Sequence, residues 1–431
     1  MTALATPRTA AGAPVRASSR LISSLAALDP AARRAAAEAW VASRPRVPVH
    51  GRRAEIDGVR CVATTFVAVH GDEAEEVMLH LNSVTDGHRE RIEPALMSRL
   101  AGTDLWHLTY DLPVDLVASY RIVAGDPIPR DAGATRAGWL EVHRRGRPDP
   151  HNPLRLPNPL GETSSVLVGP EARVHPVWTP APAVARGVQV DIGDPLGDGP
   201  RHVWLDAPAD AEALLVLFDG ETWRDLRVEE ALRRWDGPRL AVACVANGNL
   251  RRRAASLPDP EAVGALLERG VLPAAARASG RRWDAGDVIV AGQSFGGLAA
   301  AGVVVTRPDL ARTAIVQSGS FQHRAGRARA RGDREPGDLL RGLAGGRLAA
   351  GVRIAAQWGT EEAELGAVGR AFVGAAREAG AEVVEAVYAG GHDYAWWRTG
   401  LVDALTAVVG VGTGVQITQH RHCVNRGEPL E

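Results

Sequence analysis

VIVAGQSFGGLAAAG, residues Val288 to Gly302, is the stretch whose reading decides the fold. Apolar residues run directly into Gly292-Gln293-Ser294-Phe295-Gly296, and small residues follow at once. A nucleophilic serine in this GxSxG setting needs a strand, a sharp turn and then a helix, so that its hydroxyl projects from the carboxyl edge of a sheet. The flanking glycines permit such a turn, because side chains there would strike the neighbouring strand and helix. DVIVAG reads as the strand and GLAAAGVVV as the helix. The rival reading, a small-residue strand–helix junction, stays open on this stretch alone. A Gly-rich chain of 431 residues can match GxSxG by chance.

Outward from this stretch, EALLVLFDG, RLAVACVAN, RTAIVQSG, VRIAAQWGT and EVVEAVYAG are further apolar runs of strand length. Most are continuous, as expected of strands covered on both faces. Helical stretches separate them, at Val228–Trp235, Pro260–Ser279, Leu298–Arg307 and Ala363–Ala379. VQVDIGD and RHVWLDAPAD read as a hairpin that precedes them. Alternating strands and helices predict an α/β chain with a doubly wound, mainly parallel sheet. Upstream the pattern differs. CVATTFVAVH, EEVMLHLNSV, LWHLTYDLP and ASYRIVAG are short strands split by Gly, Asp and Pro turns, which predicts an all-β sandwich. DPHNPLRLPNPLG is irregular, and HPVWTPAPAVARG reads as a linker. Asp29 to Ser43 carries a helix start signal and Ala-rich propensity. The expected division is a disordered lead with a short helix over 1–50, the sandwich over 51–182, the α/β domain over 183–412, and a disordered tail over 413–431.

Composition excludes several classes. The formal net charge is -1, which argues against a general nucleic-acid binder. All 50 basic residues are Arg, so any anion site must use guanidinium forks. Cys61, Cys244 and Cys423 are far apart and odd in number, suggesting neither a zinc knuckle nor a disulfide framework. No apolar run reaches about 18 residues, so no membrane span is expected. The first 30 residues do not read as a signal peptide, and the expected compartment is the cytoplasm.

A nucleophilic serine needs a base. In this fold class the order is Ser, acid, His, with the His in a loop after the last strand. VYAGGHDYAWWR puts His392 there, while His202, His323, His420 and His422 sit in poorer places. The acid must come after an intervening strand. VRIAAQWGTEEAEL offers Glu361, Glu362 and Glu364, and the pattern does not choose among them. Carboxylates in a helix's first turn are favourable in any case. Asp393, adjacent to His392, is not expected to reach round to its imidazole. For the oxyanion, one donor is the backbone N–H of Phe295, and the loop in LLVLFDGETW supplies the other. Glu221 is the preferred donor there, with Gly220 as the fallback; a simple DG turn is the bland reading.

LFDGETW, AGQSFGGLAA, QSGSF, WGTEEAE and GGHDYAWWR, in this order, resemble the enterochelin (ferric enterobactin) esterases. MLHLNSVTDGHRE, GTDLWHLTYDLPVDLVASYRIV and DPHNPLRLP are similar to that family's immunoglobulin-like amino-terminal domain. The resemblance runs from about Val62 to Val409. It implies an α/β-hydrolase that cuts the ester bonds of cyclic trilactone catecholate siderophores, releasing iron in the cytoplasm. Such an enzyme has no cofactor or resident metal; iron arrives with the substrate. Carried over by position, Ser294 is the nucleophile, His392 the base, and the family's acid falls on Glu362. Trp223 matches a Trp beside the oxyanion loop, and Arg253 an Arg in NGNLRRRAASLPDP. Trp106 is a further candidate for stacking on catechol rings, against the commoner fate of core packing. Two departures stand out. Ser256 and Pro260 occupy places where the family carries Glu and Asn, and Glu361 replaces an Arg. If Glu361 faced the ligand, it would weaken affinity for an anionic ferric complex. Acyl transfer to an amine or hydroxyl on the same residues, or another ester or peptide substrate, stays open. So does a siderophore-binding protein without turnover.

Overall fold

In the computed structural model, residues 5–10, 12–159, 161–327 and 332–409 are described. Eight short strands build the amino-terminal half: β1 Val49–Ile56, β2 Val59–Val69, β3 Glu76–Leu81, β4 Ser98–Arg99, β5 Leu105–Pro113, β6 Val117–Gly125, β7 Arg155–Pro157 and β8 Thr163–Val168. They form two four-stranded antiparallel sheets, ordered β1-β2-β5-β4 and β3-β6-β8-β7. Phe66, Leu79, Leu108, Tyr110 and Tyr120 come from both sheets and share one core, so the two pack face to face, as the alternating strands predict.

The lead corrects the expectation of disorder. Residues from Arg16 run beside β5, where Ala17 N–H donates to the Thr109 carbonyl at 3.0 Å. Two helices follow, Arg20–Ala26 and, where the short helix was expected, Pro30–Ala42, capped by the side chains of Ser19 and Asp29. Ile22, Leu25 and Ala37 then cover Val67 and Leu105 on the outer face of the sandwich. That face is apolar and would otherwise meet water, so hydrophobic burial orders the lead. The expected tail over 413–431 lies outside the described residues.

The second half is one eight-stranded sheet, with β9 Val188–Asp191, β10 His202–Asp206, β11 Ala213–Leu217, β12 Leu240–Val245, β13 Val288–Gln293, β14 Thr313–Gln317, β15 Arg353–Gly359 and β16 Glu382–Tyr388. The order is β16-β15-β14-β13-β11-β12-β10-β9. β9 and β10 form the expected hairpin and pair antiparallel; the six strands from β11 and β12 to β16 are parallel. Successive residues of a strand feed different cores. Leu214 and Val216 pack with helices Phe295–Thr306 and Ala363–Glu378, while Leu215 and Leu217 pack with helix Tyr394–Val409. Helices thus cover both faces, which is why these strands read as continuous apolar runs. The stretch expected as one helix over Pro260–Ser279 is helical throughout but widens into a π turn at Leu267–Val271. Among the described residues no helix is long and apolar enough to cross a membrane.

Candidate active site

Ser294 sits between β13 and helix Phe295–Thr306, with φ 57° and ψ -117°. A non-glycine residue held there costs on the order of 1–3 kcal/mol and persists only where its surroundings enforce it. The enforcement is visible. A Cβ on Gly292 would fall 2.4 Å from the Gly296 backbone, so the turn closes only around glycine. Ser294 N–H donates to the Gln317 carbonyl at 3.1 Å, and its hydroxyl lies 3.3 Å from that of Ser320.

His392 follows β16, in the loop that leads into helix Tyr394–Val409. Its Nδ1 lies 2.6 Å from Glu362 Oε1. Glu362 is buried, and its other oxygen accepts from Gly359 N–H at 2.8 Å and from the Ser318 hydroxyl at 2.6 Å. A carboxylate accepting from Nδ1–H fixes the tautomer in which Nε2 is the free base. The three open carboxylates separate cleanly. Glu364 occupies the first turn of helix Ala363–Glu378. Glu361 turns away from the cavity and accepts from Arg8 at 2.7 Å and from Thr6 N–H at 2.5 Å. Glu361 therefore faces the lead, and the expectation that it could repel an anionic ligand is corrected. Asp393 accepts from Ser119 N–H at 2.5 Å. Burial raises its pKa, and it joins the two halves of the molecule without touching the imidazole edge.

The loop after β11 turns at Asp219, whose φ is 57°. Gly220 is forced: a Cβ there would lie 2.4 Å from the backbone of Cys244 and Val245. Glu221 and Phe295 both sit in the first turn of a helix, where amide N–H groups have no acceptor within the helix. The Arg253 fork donates twice to Asp219, at 2.5 and 2.7 Å, and its guanidinium lies over the Phe295 ring at 5.7 Å. Glu221 accepts from Asn247 N–H and Gly248 N–H. These contacts hold the two helix starts against each other.

A cavity of about 450 Å³ opens between them, lined by Ser294, His392, Glu221 and Arg253 on one side and by Asn82 and Asn158 of the sandwich on the other. The sandwich closes one side of the site. Two sequence candidates lie elsewhere. Trp223 is fully buried, with its indole N–H on Gln293 Oε1 at 3.1 Å. Trp106 is in the sandwich core and donates to the His70 carbonyl at 3.0 Å. Each ring is enclosed and its one polar atom satisfied, so core packing prevails and the expected substrate contact is corrected.

Several residues escaped the sequence reading. Ser83 Oγ accepts from His392 N–H at 2.8 Å, and Asn82 donates to the His392 carbonyl at 3.4 Å. Gln293, Gln317 and Gln357 form a buried ladder across β13, β14 and β15, linked at 2.8 and 2.7 Å. Its signal was present: a lone Gln closes each of the runs VIVAGQ, AIVQ and IAAQ.

The Arg8–Glu361 pair yields a stability test. The Glu361 side chain is 1% exposed, and removing its cation strands a buried charge. Arg8→Ala is expected to lower the unfolding free energy by about 1–3 kcal/mol, read from urea unfolding of the full chain; an unchanged midpoint would refute the pairing.

The enterochelin esterase amino-terminal family model matches residues 65–178. An iron(III) enterobactin esterase of Dickeya dadantii is 30% identical over 372 residues, covering 77% of this chain and 84% of the relative. An iron(III) salmochelin esterase of Escherichia coli is 28% identical over 352 residues, covering 78% of this chain and 84% of the relative. The crystal structure of the enterobactin esterase of Shigella flexneri in the presence of enterobactin superposes with a TM-score of 0.72 at 26% identity, over 86% of this chain and 97% of that one. Relatives of this identity, matched over most of both chains and built on the same two-part fold, show that this chain is an ester-hydrolysing enzyme and belongs to the enterochelin esterase family.

Proposed function

We propose that this chain hydrolyses ester bonds of catecholate siderophores by a serine mechanism. Its amino-terminal half is an immunoglobulin-like sandwich and its second half an α/β-hydrolase. The observation that carries the mechanism is the 2.6 Å contact between His392 Nδ1 and Glu362, in the cavity wall that also holds Ser294 on its strained turn. His392 takes the Ser294 proton as the hydroxyl attacks the ester carbonyl. The amides of Phe295 and Glu221 hold the oxyanion, with Gly220 as the fallback donor, and are worth on the order of 3 kcal/mol each. His392 then protonates the departing alcohol, and water releases the acyl group by the same route. The substrate class rests on the relatives named as enterobactin and salmochelin esterases. Iron, when present, is cargo of the substrate. The compartment we assign is the cytoplasm, consistent with Cys61 and Cys244 being free thiols.

The cavity's charge narrows the substrate form. Arg253 is the one guanidinium among the described lining residues, and its Nε and Nη2 both donate to Asp219. Asp219, Glu221 and Asp393 add three carboxylates; Asp393 is turned onto the N–H groups of Ser119 and Ala395 and is left out of the charge count. A ferric tris-catecholate is multiply anionic, whereas free catechols are neutral at pH 7. One net negative charge facing a trianion across roughly 10 Å of wet site costs about 1 kcal/mol, or roughly tenfold. kcat/KM is therefore expected to be about tenfold higher for the iron-free ester than for its ferric complex. Mass spectrometry of products from cyclic and linear catecholate esters, each with and without iron, checks this. Equal or faster cutting of the ferric form removes the charge argument. Products formed only when an amine is added identify acyl transfer, and no products at all indicate binding without turnover.

A further inference from the structure

We propose that His80, Asp86 and His143 form a binding site for a divalent transition-metal ion of the zinc class, away from the reacting groups. The three residues come from separate elements: His80 from β3, Asp86 from the turn after it, and His143 from helix Arg136–Arg145. One potential ligand atom from each lies within 4.8 Å of the others. His80 Nε2 is 3.0 Å from Asp86 Oδ1, and the two imidazole centroids are 4.2 Å apart. Ligand atoms around tetrahedral zinc, with bonds of about 2.0–2.1 Å, stand roughly 3.3 Å apart. The widest of the three separations would have to shorten by up to about 1.5 Å to reach that spacing. Trp139 packs edge-on against both imidazoles, at 5.3 and 5.8 Å, and sets their orientation.

The donor set selects the metal. Two imidazoles and one carboxylate suit zinc and its neighbours, whereas calcium and magnesium favour all-oxygen sites. His80 is buried, while Asp86 and His143 are partly exposed, which leaves a fourth position for water. A His80–Asp86 hydrogen bond would be complete without His143; the convergence of a third donor is what a cation would use.

The site has a route to the chemistry. The second oxygen of Asp86 accepts from Ser83 N–H at 2.9 Å. Ser83 Oγ in turn accepts from His392 N–H. A metal on Asp86 therefore stiffens the turn on which the His392 loop rests. It acts as a positioning group and touches no substrate.

The test uses the metal-free chain of 431 residues, equilibrated against zinc and assayed for bound metal. His420, His422 and Cys423 lie outside the described residues and offer zinc ligands of their own, so the readout is a difference. The unaltered chain is expected to hold one more equivalent than His143→Ala or Asp86→Asn. Zinc at about a hundredfold excess over its Kd is expected to raise the melting temperature of the unaltered chain by roughly 5 °C, and of neither variant. If the variants fail to fold, cobalt on a chain carrying His420→Ala, His422→Ala and Cys423→Ala decides. Visible ligand-field bands without thiolate charge transfer support the site, and their absence overturns it. Equal zinc uptake by folded variants overturns it as well.

Discussion

Ser294→Ala is expected to lower ester turnover by roughly a million-fold, because the three residues of such a site act as a unit and no one of them works without the others. The variant should still fold. Alanine tolerates the φ of 57° no worse than serine, and the side-chain hydrogen bond it loses is with Ser320 at 3.3 Å. Steady-state hydrolysis of a chromogenic short-chain ester measures the loss, with a melting curve as the control for folding. Activity near that of the unaltered chain would sink the serine mechanism.

Glu362→Gln carries the second large effect, a fall in kcat of about ten-thousand-fold. The carboxylate faces three donors: His392 Nδ1, Gly359 N–H and the Ser318 hydroxyl. A glutamine has one oxygen. Wherever it points, its amide N–H₂ faces a donor, and the imidazole is pushed toward the wrong tautomer. The adjacent substitution sharpens the test. Glu361→Gln alters only the contact with Arg8 and Thr6 and should leave kcat within a few-fold. A reversed ranking of the two variants would move the acid to Glu361.

Most of the candidate site was legible in the sequence, for identifiable reasons. Ser294 and His392 follow apolar strands in loops built from glycine, and both patterns are local. Phe295 and Glu221 are candidates by their positions after Ser294 and after an earlier strand. The candidate acid was harder. Glu361 and Glu362 are neighbours in sequence yet point to opposite partners, and only the family pattern or the coordinates separate them. Trp223 and Trp106 misled because an aromatic residue near a motif looks the same whether its ring faces a ligand or a core. The lead misled in the other direction. Its helices are ordered by the outer face of a sheet some distance along the chain, and no local signal reports that face. Contacts across the domain junction, such as Ser83 with His392, pair residues more than 300 positions apart and leave no periodic trace.

The glutamine ladder has a consequence for precision. Gln293 precedes Ser294, Gln317 precedes the serine that donates to Glu362, and Gln357 lies two residues before the glycine that donates to the same carboxylate. Gln317 and Gln357 also donate to the carbonyls of Trp397 and Gly400, in the helix that begins just after His392. The reacting groups are thus surveyed from a common datum. Each strand that carries one of these groups is tied to the next by a buried amide, so displacing one of them alone would break a hydrogen bond in the floor. Loops at the mouth are then free to vary with the substrate while the tolerance at the reacting atoms is kept by three amides in the floor.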